Sequence, residues 1–285
     1  MARALVTGAG HRLGREMALC LAARGFDVAV HYARSSAGAD AVVNEIRALG
    51  RNAVALQADL LEDKATAALF ADARESLGGP INCLINNASI FEHDTVETAT
   101  RESWDRHLGS NLRAPFVLTQ AMAAQGLTPA TDDQGEPLAT GLIINMTDQR
   151  VRKLTPEFMT YTLAKAGLWT MTQTMAQALA PAIRVNAIGP GPTLRGARQS
   201  QGHFDAQRRN TVLARGVNPS DITGALGYFL DASGVTGQML CVDGGQHLGW
   251  QTPDVLVAEK FCTLRQTLNK TGAKDQRFQL LAPGQ

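Results

Sequence analysis

Tyr161 and Lys165 are the residues whose types and spacing most directly suggest chemistry. They are four positions apart, so in a helix they lie one turn from each other on the same face. An ammonium group near a phenol favours the tyrosinate form and lowers the tyrosine pKa. The pair could therefore exchange a proton with a bound substrate, although two exposed surface residues would show the same spacing.

A glycine-rich segment near the N-terminus indicates where a phosphate would bind. Residues Thr7–Gly14 read TGAGHRLG and follow the first short aliphatic run of the chain. Glycines let the backbone approach a phosphate, and the next helix N-terminus offers free N–H groups and a partial positive charge. The segment lies in the first βαβ unit, which favours a dinucleotide-binding turn over a purely structural tight turn.

The end of the second predicted strand distinguishes between the two nicotinamide cofactors. NAD-specific sites often place an acidic residue here to bind the ribose hydroxyls, but residues 31–36 read HYARSS. Arg34 can make paired, charge-assisted hydrogen bonds to a 2′-phosphate, and Ser35 can add another. Arg12 adds positive charge in the glycine turn. These residues favour NADPH over NADH, with an exposed surface role for Arg34 as the alternative.

The elements that must position these residues alternate as in an α/β protein. Short aliphatic or β-branched runs predict strands at Ala2–Thr7, Asp27–His31, Ala53–Leu56, Ile81–Ile85, Leu142–Met146, Arg184–Ile188 and Gln238–Val242. Longer periodic stretches predict helices after the glycine turn and at Ala37–Leu49, Glu62–Leu77, Arg101–Gln125 and Phe158–Leu179. We expect a Rossmann-type, doubly wound parallel sheet of about seven strands flanked by helices.

The 285 residues suit one large α/β domain, and no boundary is visible before Gln246. We therefore predict a single domain at residues 1–246 and a C-terminal extension at 247–285. Within the extension, an apolar stripe predicts a helix that packs on the body or on a sister subunit. The stripe consists of Val257, Phe261, Leu264 and Leu268.

Two polar stretches interrupt the alternating pattern. Gly126–Gly141 is rich in turn residues and predicts a surface excursion. Thr193–Gly216 is rich in arginine and follows a strand, where α/β enzymes place loops that cover ligands. A solvated loop and a mobile substrate lid both remain open for this second stretch.

Composition argues against several other classes of protein. The net charge of +1 gives no reason to expect nucleic acid or a membrane surface as a partner. No apolar run approaches the ~20 residues of a membrane span. The start of the chain has no signal-peptide pattern and the four cysteines form no CxxC pair, which favours a cytoplasmic protein. The six histidines form no metal-binding or triad-like motif, so we expect no metal.

Six short motifs, in order along residues 2–245, resemble the short-chain dehydrogenase/reductase family. They are TGxxxRxG at Thr7–Gly14, Asp59, Asn86-Asn87-Ala88, Asn111, Tyr161-x-x-x-Lys165 and Pro190-Gly191. The resemblance implies a reductase with Asn111, Tyr161 and Lys165 as catalytic residues. The cofactor contacts expected from the resemblance and from the residues fall on Gly8, Arg12, Leu13, Gly14, His31, Arg34, Ser35, Asp59, Leu60, Asn87, Ala88, Ser89, Tyr161, Lys165, Pro190, Gly191 and Thr193.

One departure from the family pattern points to a branch of it. Asp148 stands thirteen residues before Tyr161, where the family usually has a serine. An aspartate there is similar to the pteridine reductase branch, which includes bacterial dihydromonapterin and dihydrofolate reductases. Phe91 falls where that branch stacks an aromatic ring on the pterin. The branch implies substrate contacts at Arg12, Ser89, Phe91, Asp148 and Tyr161.

The neighbouring carboxylate predicts which way the proton moves. Asp148 near Tyr161 favours the neutral phenol, which opposes the effect of Lys165. We therefore expect Tyr161 to be a proton donor, with Asp148 tuning or relaying the proton and Asn111 holding a water in its path. A loop-capping role for Asp148 and plain core packing for Phe91 are the alternatives.

These observations predict an NADPH-dependent reductase that converts a dihydropteridine to its tetrahydro form. One alternative is a short-chain reductase of another carbonyl or imine. Another, from a different class, is a catalytically silent NADPH-binding regulatory protein, although Asn111, Tyr161 and Lys165 are all present. The family resemblance also implies a homodimer or homotetramer.

Overall fold

Parallel strands form the main sheet of the protein, whose computed structural model describes residues 2–196 and 199–250. The strands are β1 (Arg3–Val6), β2 (Asp27–Tyr32), β3 (Ala53–Gln57), β4 (Cys83–Asn86), β5 (Ala130–Thr131), β6 (Pro137–Leu138), β7 (Gly141–Met146), β8 (Ile183–Pro190) and β9 (Met239–Val242). Strands β5 and β6 form a separate antiparallel hairpin, and the other seven pair in the order β3-β2-β1-β4-β7-β8-β9. The predicted doubly wound sheet of seven strands is confirmed.

Helices cover both faces of this sheet. They are α1 (Arg12–Ala23), α2 (Ser36–Ala48), α3 (Asp63–Ser76), α4 (Arg101–Leu108), α5 (Ala114–Ala123), α6 (Met159–Leu179), α7 (Gln201–Arg209) and α8 (Pro219–Asp231). Neighbouring residues of β1 point to opposite faces, so Ala4 and Val6 enter one hydrophobic cluster and Leu5 enters the other. Ala4, Leu5 and Val6 of β1 are all buried, which is why this part of the strand is aliphatic.

The helix predicted at Arg101–Gln125 is interrupted. Helix α4 ends at Leu108, a π-helical segment spans Gly109–Arg113, and α5 then runs to Ala123. Pro115 explains the interruption, because it has no N–H to donate to the carbonyl of Asn111 four residues earlier. The wider turn places Asn111 at the centre of the π-helical segment, a kind of irregularity often found at functional sites.

The two polar stretches contain more secondary structure than their composition suggests. Gly126–Gly141 includes the exposed β5–β6 hairpin, and Thr193–Gly216 includes α7. Arg208 of α7 donates to the carbonyls of Pro192 and Val217 at 3.1 and 2.6 Å, which joins both ends of the second stretch.

Helix α8 was not predicted, although its start carries a recognisable signal. Pro219 is the first helical residue, and Asn218 and Asp221 form a reciprocal capping box.

The chain divides into a compact unit at Met1–His247 and a second unit at Leu248–Gln285. Most of the second unit, including the stripe from Val257 to Leu268, lies outside the described residues. Among the described helices, none combines the length and the apolar character needed to cross a membrane.

Candidate active site

A cavity of about 760 Å³ lies at the carboxyl ends of the central strands. The strand order reverses between β1 and β4, and open α/β sheets bind ligands at such a point. The cavity is lined by eighteen of the predicted site residues: Gly8, Arg12, Leu13, Gly14, His31, Arg34, Ser35, Asp59, Leu60, Asn87, Ala88, Ser89, Phe91, Asp148, Tyr161, Lys165, Pro190 and Gly191. Asn111 and Thr193 are the two predicted residues outside this lining.

The glycine turn between β1 and α1 is packed too closely for side chains. Gly8 has a φ of +63°, and a Cβ on Gly14 would lie 2.2 Å from the Gly8 carbonyl oxygen. Asn87, the residue after β4, holds the turn in place, because its Nδ2 donates to the carbonyls of Thr7 and Gly8 at 2.8 and 3.2 Å. The backbone path of the turn therefore depends on glycine at positions 8 and 14 and on the Asn87 side chain.

Arg12 adopts a glycine-like backbone conformation within this turn. Its φ is +56°, in the left-handed region where non-glycine residues are uncommon. The guanidinium donates to the carbonyls of Leu194 and Arg195 at 3.0 and 2.8 Å. Arg12 therefore connects the glycine turn to the segment after β8 at the edge of the cavity.

The buried His31 ring holds the glycine turn by a hydrogen bond to its backbone. It is 1% exposed, its Nδ1 accepts from the Gly8 N–H at 3.0 Å, and its Nε2 is 3.0 Å from the Ala58 carbonyl. Those partners require the neutral ring with the proton on Nε2, and burial lowers the pKa of His31. The sequence predicted a direct cofactor contact for His31, whereas both of its ring nitrogens are already used to shape the turn.

The far end of the cavity has the composition expected of a 2′-phosphate site. Arg34 and Ser35 line it after β2, together with Tyr32 and Ala33. Asp59 and Leu60 line it after β3, and the Asp59 carboxylate accepts from the Leu61 N–H at 3.0 Å. No acidic residue follows β2 at this point, and Arg34 supplies a positive charge that favours a phosphate.

The Tyr161 hydroxyl donates to Oδ2 of Asp148 at 2.9 Å. Tyr161 is buried in the first turn of α6, and Asp148 follows β7. The second oxygen, Oδ1, accepts from the Arg150 N–H at 2.8 Å and caps a short 3₁₀ turn at Gln149–Val151. Asp148 therefore both caps its loop and orients the tyrosine hydroxyl, so the two predicted roles coexist.

Burial controls the protonation of these groups. Burial, followed by the Asp148 carboxylate, raises the pKa of Tyr161 well above its usual value. Burial also raises the pKa of Asp148. Lys165 donates to the Met146 carbonyl at 2.7 Å, and burial lowers its pKa to about 8. The phenol is therefore neutral, and the influence of Asp148 exceeds the expected influence of Lys165.

Phe91, which packs against Phe158 and Tyr161, forms one wall of the cavity. Phe91 stacks on Phe158 with ring centroids 4.4 Å apart and planes 9° apart, and it meets the edge of Tyr161 at 4.6 Å. Phe91 is nevertheless 50% exposed, so part of its ring faces the open site. Arg150 lies over Phe158 at 4.7 Å. The wall presents a flat aromatic surface beside the tyrosine hydroxyl.

Asn111 and Thr193 act on the backbone around the cavity. The Asn111 amide accepts from the Ile90 N–H at 2.9 Å and donates to the Ile90 carbonyl at 2.8 Å. Thr193 donates to the Gly191 carbonyl at 3.0 Å. A Cβ on Gly191 would lie 2.6 Å from Cα of Asp243, so that backbone approach requires glycine. The Asn111 side chain thus positions Ile90, and its predicted contact with a water stays a prediction.

Further cavity residues were missed at the sequence level. Most adjoin the motifs and share their loops: Gly10, His11, Tyr32, Ala33, Leu61, Ile90, Met146 and Thr147. Arg106 and Ser110 come from α4 and the π-helical segment, where no motif marks them. Arg106 and Ser110 are four residues apart, a spacing that becomes informative only once this part of the chain is known to face the site.

Comparisons with known proteins show which family this chain resembles in sequence and fold. A family model described as enoyl-(acyl carrier protein) reductase matches residues 8–247. The FolM alternative dihydrofolate reductase 1 of Brucella suis, solved in complex with NADP, is 42% identical, with a TM-score of 0.82 over 89% of this chain and 98% of that one. A 3-oxoacyl-[acyl-carrier-protein] reductase of Synechocystis is 34% identical over 85% of this chain and 95% of its own length.

A keto-reducing enzyme has a similar structure as well. The promiscuous reductase LugOII, which acts in lugdunomycin biosynthesis, is 30% identical, with a TM-score of 0.77 over 87% of this chain and 98% of that one. Family match, sequence identity and fold agree over nearly the whole compact unit. This chain therefore belongs to the short-chain dehydrogenase/reductase family of oxidoreductases.

Proposed function

We propose that this oxidoreductase uses NADPH to reduce a dihydropteridine to its tetrahydro form. The observation that carries the proposal is the hydrogen bond from the Tyr161 hydroxyl to Asp148, beside the partly exposed ring of Phe91. A carboxylate suits a protonated or N–H-bearing heterocycle better than a ketone, because a ketone oxygen needs a donor. The 42% identity to an alternative dihydrofolate reductase supports the same substrate class.

The cavity fits NADPH in several respects. The glycine turn at Gly8–Gly14 leads directly into α1, whose N-terminus can approach a pyrophosphate. Arg34 and Ser35 would hold the 2′-phosphate, and Lys165 would hold the nicotinamide ribose. When bound, the cofactor supplies a hydride for the substrate carbon. The residues of this chain then need only orient the substrate and supply a proton.

Tyr161 is the group that supplies this proton. The phenol carries its proton at physiological pH, as its raised pKa requires, and holds it until the substrate nitrogen accepts it from Oη. Transfer to the substrate nitrogen leaves a tyrosinate next to Asp148, which is unfavourable unless that carboxyl carries a proton. A proton that Asp148 takes up from solvent, which its raised pKa favours, then passes to the tyrosinate and restores the phenol. Phe91 would stack on the heterocycle and hold it within reach of the hydroxyl.

The proposal is tested by the loss of near-ultraviolet absorbance as NADPH is oxidised. Dihydromonapterin, dihydrobiopterin and dihydrofolate are compared with a panel of ketones and 3-oxoacyl thioesters. We expect turnover with the dihydropteridines, and a decrease of about 10-fold or more in kcat/KM for them in Asp148→Ser, which loses a charged hydrogen-bond partner. Turnover with ketones alone would overturn the substrate assignment.

Reduction of another carbonyl or imine is the second candidate function. It is favoured by the similarity to the Synechocystis 3-oxoacyl reductase and to LugOII, which align over nearly the same length of chain. In that case Asp148→Ser would preserve or increase ketone turnover, because serine can donate to a ketone oxygen. A silent NADPH-binding protein is disfavoured by the intact arrangement of Tyr161, Asp148 and Lys165.

Cofactor choice is expected to depend on Arg34. We predict that Arg34→Ala weakens NADPH binding by about 10- to 100-fold, the effect of losing charge-assisted hydrogen bonds, and leaves NADH binding unchanged. Fluorescence titration with both cofactors measures this, with Arg74→Ala on an exposed part of α3 as the matched control. Equal weakening for the two cofactors would show that Arg34 does not contact the 2′-phosphate.

Three further features extend this proposal. We infer a homodimer or homotetramer, a cytoplasmic location, and a reductase domain at residues 1–246 with an extension at 247–285. The exposed Phe116 and Leu163, on α5 and α6, are the kind of apolar surface that subunit contacts cover.

A further inference from the structure

A buried network of three side chains lies behind the aromatic wall. Asp94 follows β4, His107 lies in α4, and Thr160 lies in the first turn of α6. Their exposed fractions are 1%, 0% and 1%. None of these residues lines the cavity, and no sequence motif marks them. Buried polar groups are costly unless paired, so their mutual contacts need an explanation.

The hydrogen bonds of the network have only one consistent direction. The Glu92 N–H donates to Nε2 of His107 at 3.1 Å, so Nε2 is the acceptor and Nδ1 carries the proton. Nδ1 lies 2.6 Å from the Thr160 hydroxyl and therefore donates to it. The hydroxyl then donates to Oδ2 of Asp94 at 2.5 Å, while the Thr160 N–H donates to Oδ1 at 3.1 Å. Burial lowers the pKa of His107, which keeps the ring neutral in this arrangement.

The network holds a segment that has no regular secondary structure of its own. Between β4 and α4, residues 87–100 form neither helix nor strand. Side chains of the α4 region bind its backbone at two points, Asn111 at Ile90 and His107 at Glu92. Asn111 and His107 are four residues apart along one helical face. Asp94 then ties the same segment to α6 through Thr160.

The two ends of the network adjoin the two groups that matter for chemistry. Glu92 follows Phe91 in the chain, and Thr160 precedes Tyr161. The rings of Phe91 and Tyr161 are 4.6 Å apart, and the His107 ring is 6.0 Å from Tyr161. Directional hydrogen bonds fix distance and angle more narrowly than apolar packing does.

We propose that Asp94, His107 and Thr160 are positioning residues that set the aromatic wall at Phe91 against the proton donor Tyr161. The inference rests on the proposed function, because it assigns the wall to a planar substrate. A substrate ring stacked on Phe91 is held at the height at which the Tyr161 hydroxyl can reach it. Loss of the network therefore misplaces the ring relative to the hydroxyl while leaving the glycine turn and the cofactor contacts unchanged.

The experiment compares Thr160→Val, Thr160→Ser and a matched control, Thr162→Val. Thr162 lies two residues further along α6, and its buried hydroxyl has no partner among the described residues. We expect Thr160→Val to lower kcat/KM for the dihydropteridine by about 10-fold or more, with Thr160→Ser and Thr162→Val close to the unaltered enzyme. The dissociation constant of NADPH, from fluorescence titration, should stay the same in all three variants.

Asp94→Asn provides an independent variant of similar shape. Both oxygens of Asp94 accept hydrogen bonds, and an amide can accept through only one of them. We expect Asp94→Asn to match Thr160→Val in kcat/KM. Equal turnover in Thr160→Val and Thr162→Val would overturn the proposal. The proposal would also be overturned if Thr160→Val lowered both the NADPH affinity and the melting temperature and Thr160→Ser restored neither. That pattern indicates general destabilisation of the fold.

Two readouts do not depend on any substrate. ¹⁵N chemical shifts of His107 in the free enzyme should report the neutral ring with its proton on Nδ1, and a proton on Nε2 would contradict the network. Crystal structures should show the Phe91 and Tyr161 rings displaced in Thr160→Val and retained in Thr160→Ser. If the unaltered enzyme reduces no dihydropteridine, the proposed function fails, whereas the positioning role stands or falls on these two measurements.

Discussion

Tyr161→Phe is expected to lower kcat by about 10²- to 10⁴-fold, the usual contribution of a positioned general acid. The substitution removes only the hydroxyl, so the ring contacts with Phe91 and the shape of the cavity are retained. Binding of NADPH and substrate should therefore change little, because the lost interaction acts mainly in the transition state. The measurement is steady-state NADPH oxidation together with fluorescence titration of the cofactor.

Tyr228→Phe is the matched control for this substitution. Tyr228 lies in α8 and is 52% exposed, and it takes no part in the cavity. Its replacement should leave kcat and both binding constants unchanged. If Tyr161→Phe kept more than about a tenth of the activity, a value outside the range for a general acid, the proton would have to come from another group.

Lys165→Met is expected to separate stability from activity. The ammonium group is 2% exposed, and burial lowers its pKa from 10.5 to about 8. At 1.36 kcal/mol per pKa unit, this shift corresponds to about 3 kcal/mol of destabilisation from the buried charge. Methionine has a similar length and no charge, so the free enzyme should unfold at a higher temperature. The lost hydrogen bond to the Met146 carbonyl offsets part of this gain.

The pH at which this gain is present follows from the sign of the pKa shift. Below about pH 8 the lysine is charged in both the folded and the unfolded chain, and the folded state carries the full penalty. Between pH 8 and 10.5 the folded protein loses its proton first, so the free energy of unfolding rises with pH. The advantage of Lys165→Met should therefore be full at pH 7 and largely absent at pH 10.5.

Activity should change in the opposite direction. Without the ammonium group, kcat/KM for NADPH should fall by about 10- to 100-fold, as for the loss of a charged hydrogen-bond donor. In the unaltered enzyme, kcat/KM for NADPH should decline above pH 8, because Lys165 of the cofactor-free enzyme loses its proton there. Lys64→Met on the exposed surface of α3 is the control for both measurements. An unchanged unfolding midpoint in Lys165→Met at pH 7 would contradict the buried-charge explanation.

The two expectations have a common physical origin. Tyr161, Asp148 and Lys165 are buried together. Burial shifts the pKa of each group in the direction that favours its neutral form. A site built for stability alone would not bury three ionisable groups together. The cost is compensated when a bound cofactor and substrate supply hydrogen-bond partners, so ligand binding should stabilise the enzyme markedly.

Local patterns in the sequence determined most of the fold. Seven aliphatic or β-branched runs predicted the seven strands of the sheet, because the strands of a parallel sheet with helices on both faces are rich in apolar residues. The glycine turn, the absence of an acid after β2 and the four-residue spacing of Tyr161 and Lys165 depend only on neighbouring residues. They could therefore be recognised without knowing which strands pair. The break at the π-helical segment was missed, although Pro115 marks it in the sequence.

Contacts between distant segments were decided only by the tertiary structure. Asp148 and Tyr161 come from different elements, and strand register together with the path of α6 sets the 2.9 Å between their oxygens. The Arg12 side chain donates to the Leu194 carbonyl, 182 residues further along the chain. The His31 ring accepts from the Gly8 N–H of the glycine turn. The network at Asp94, His107 and Thr160 joins three segments that no motif connects. Sequence spacing describes which residues share one element, whereas these contacts depend on how separate elements pack, and no local pattern encodes that packing.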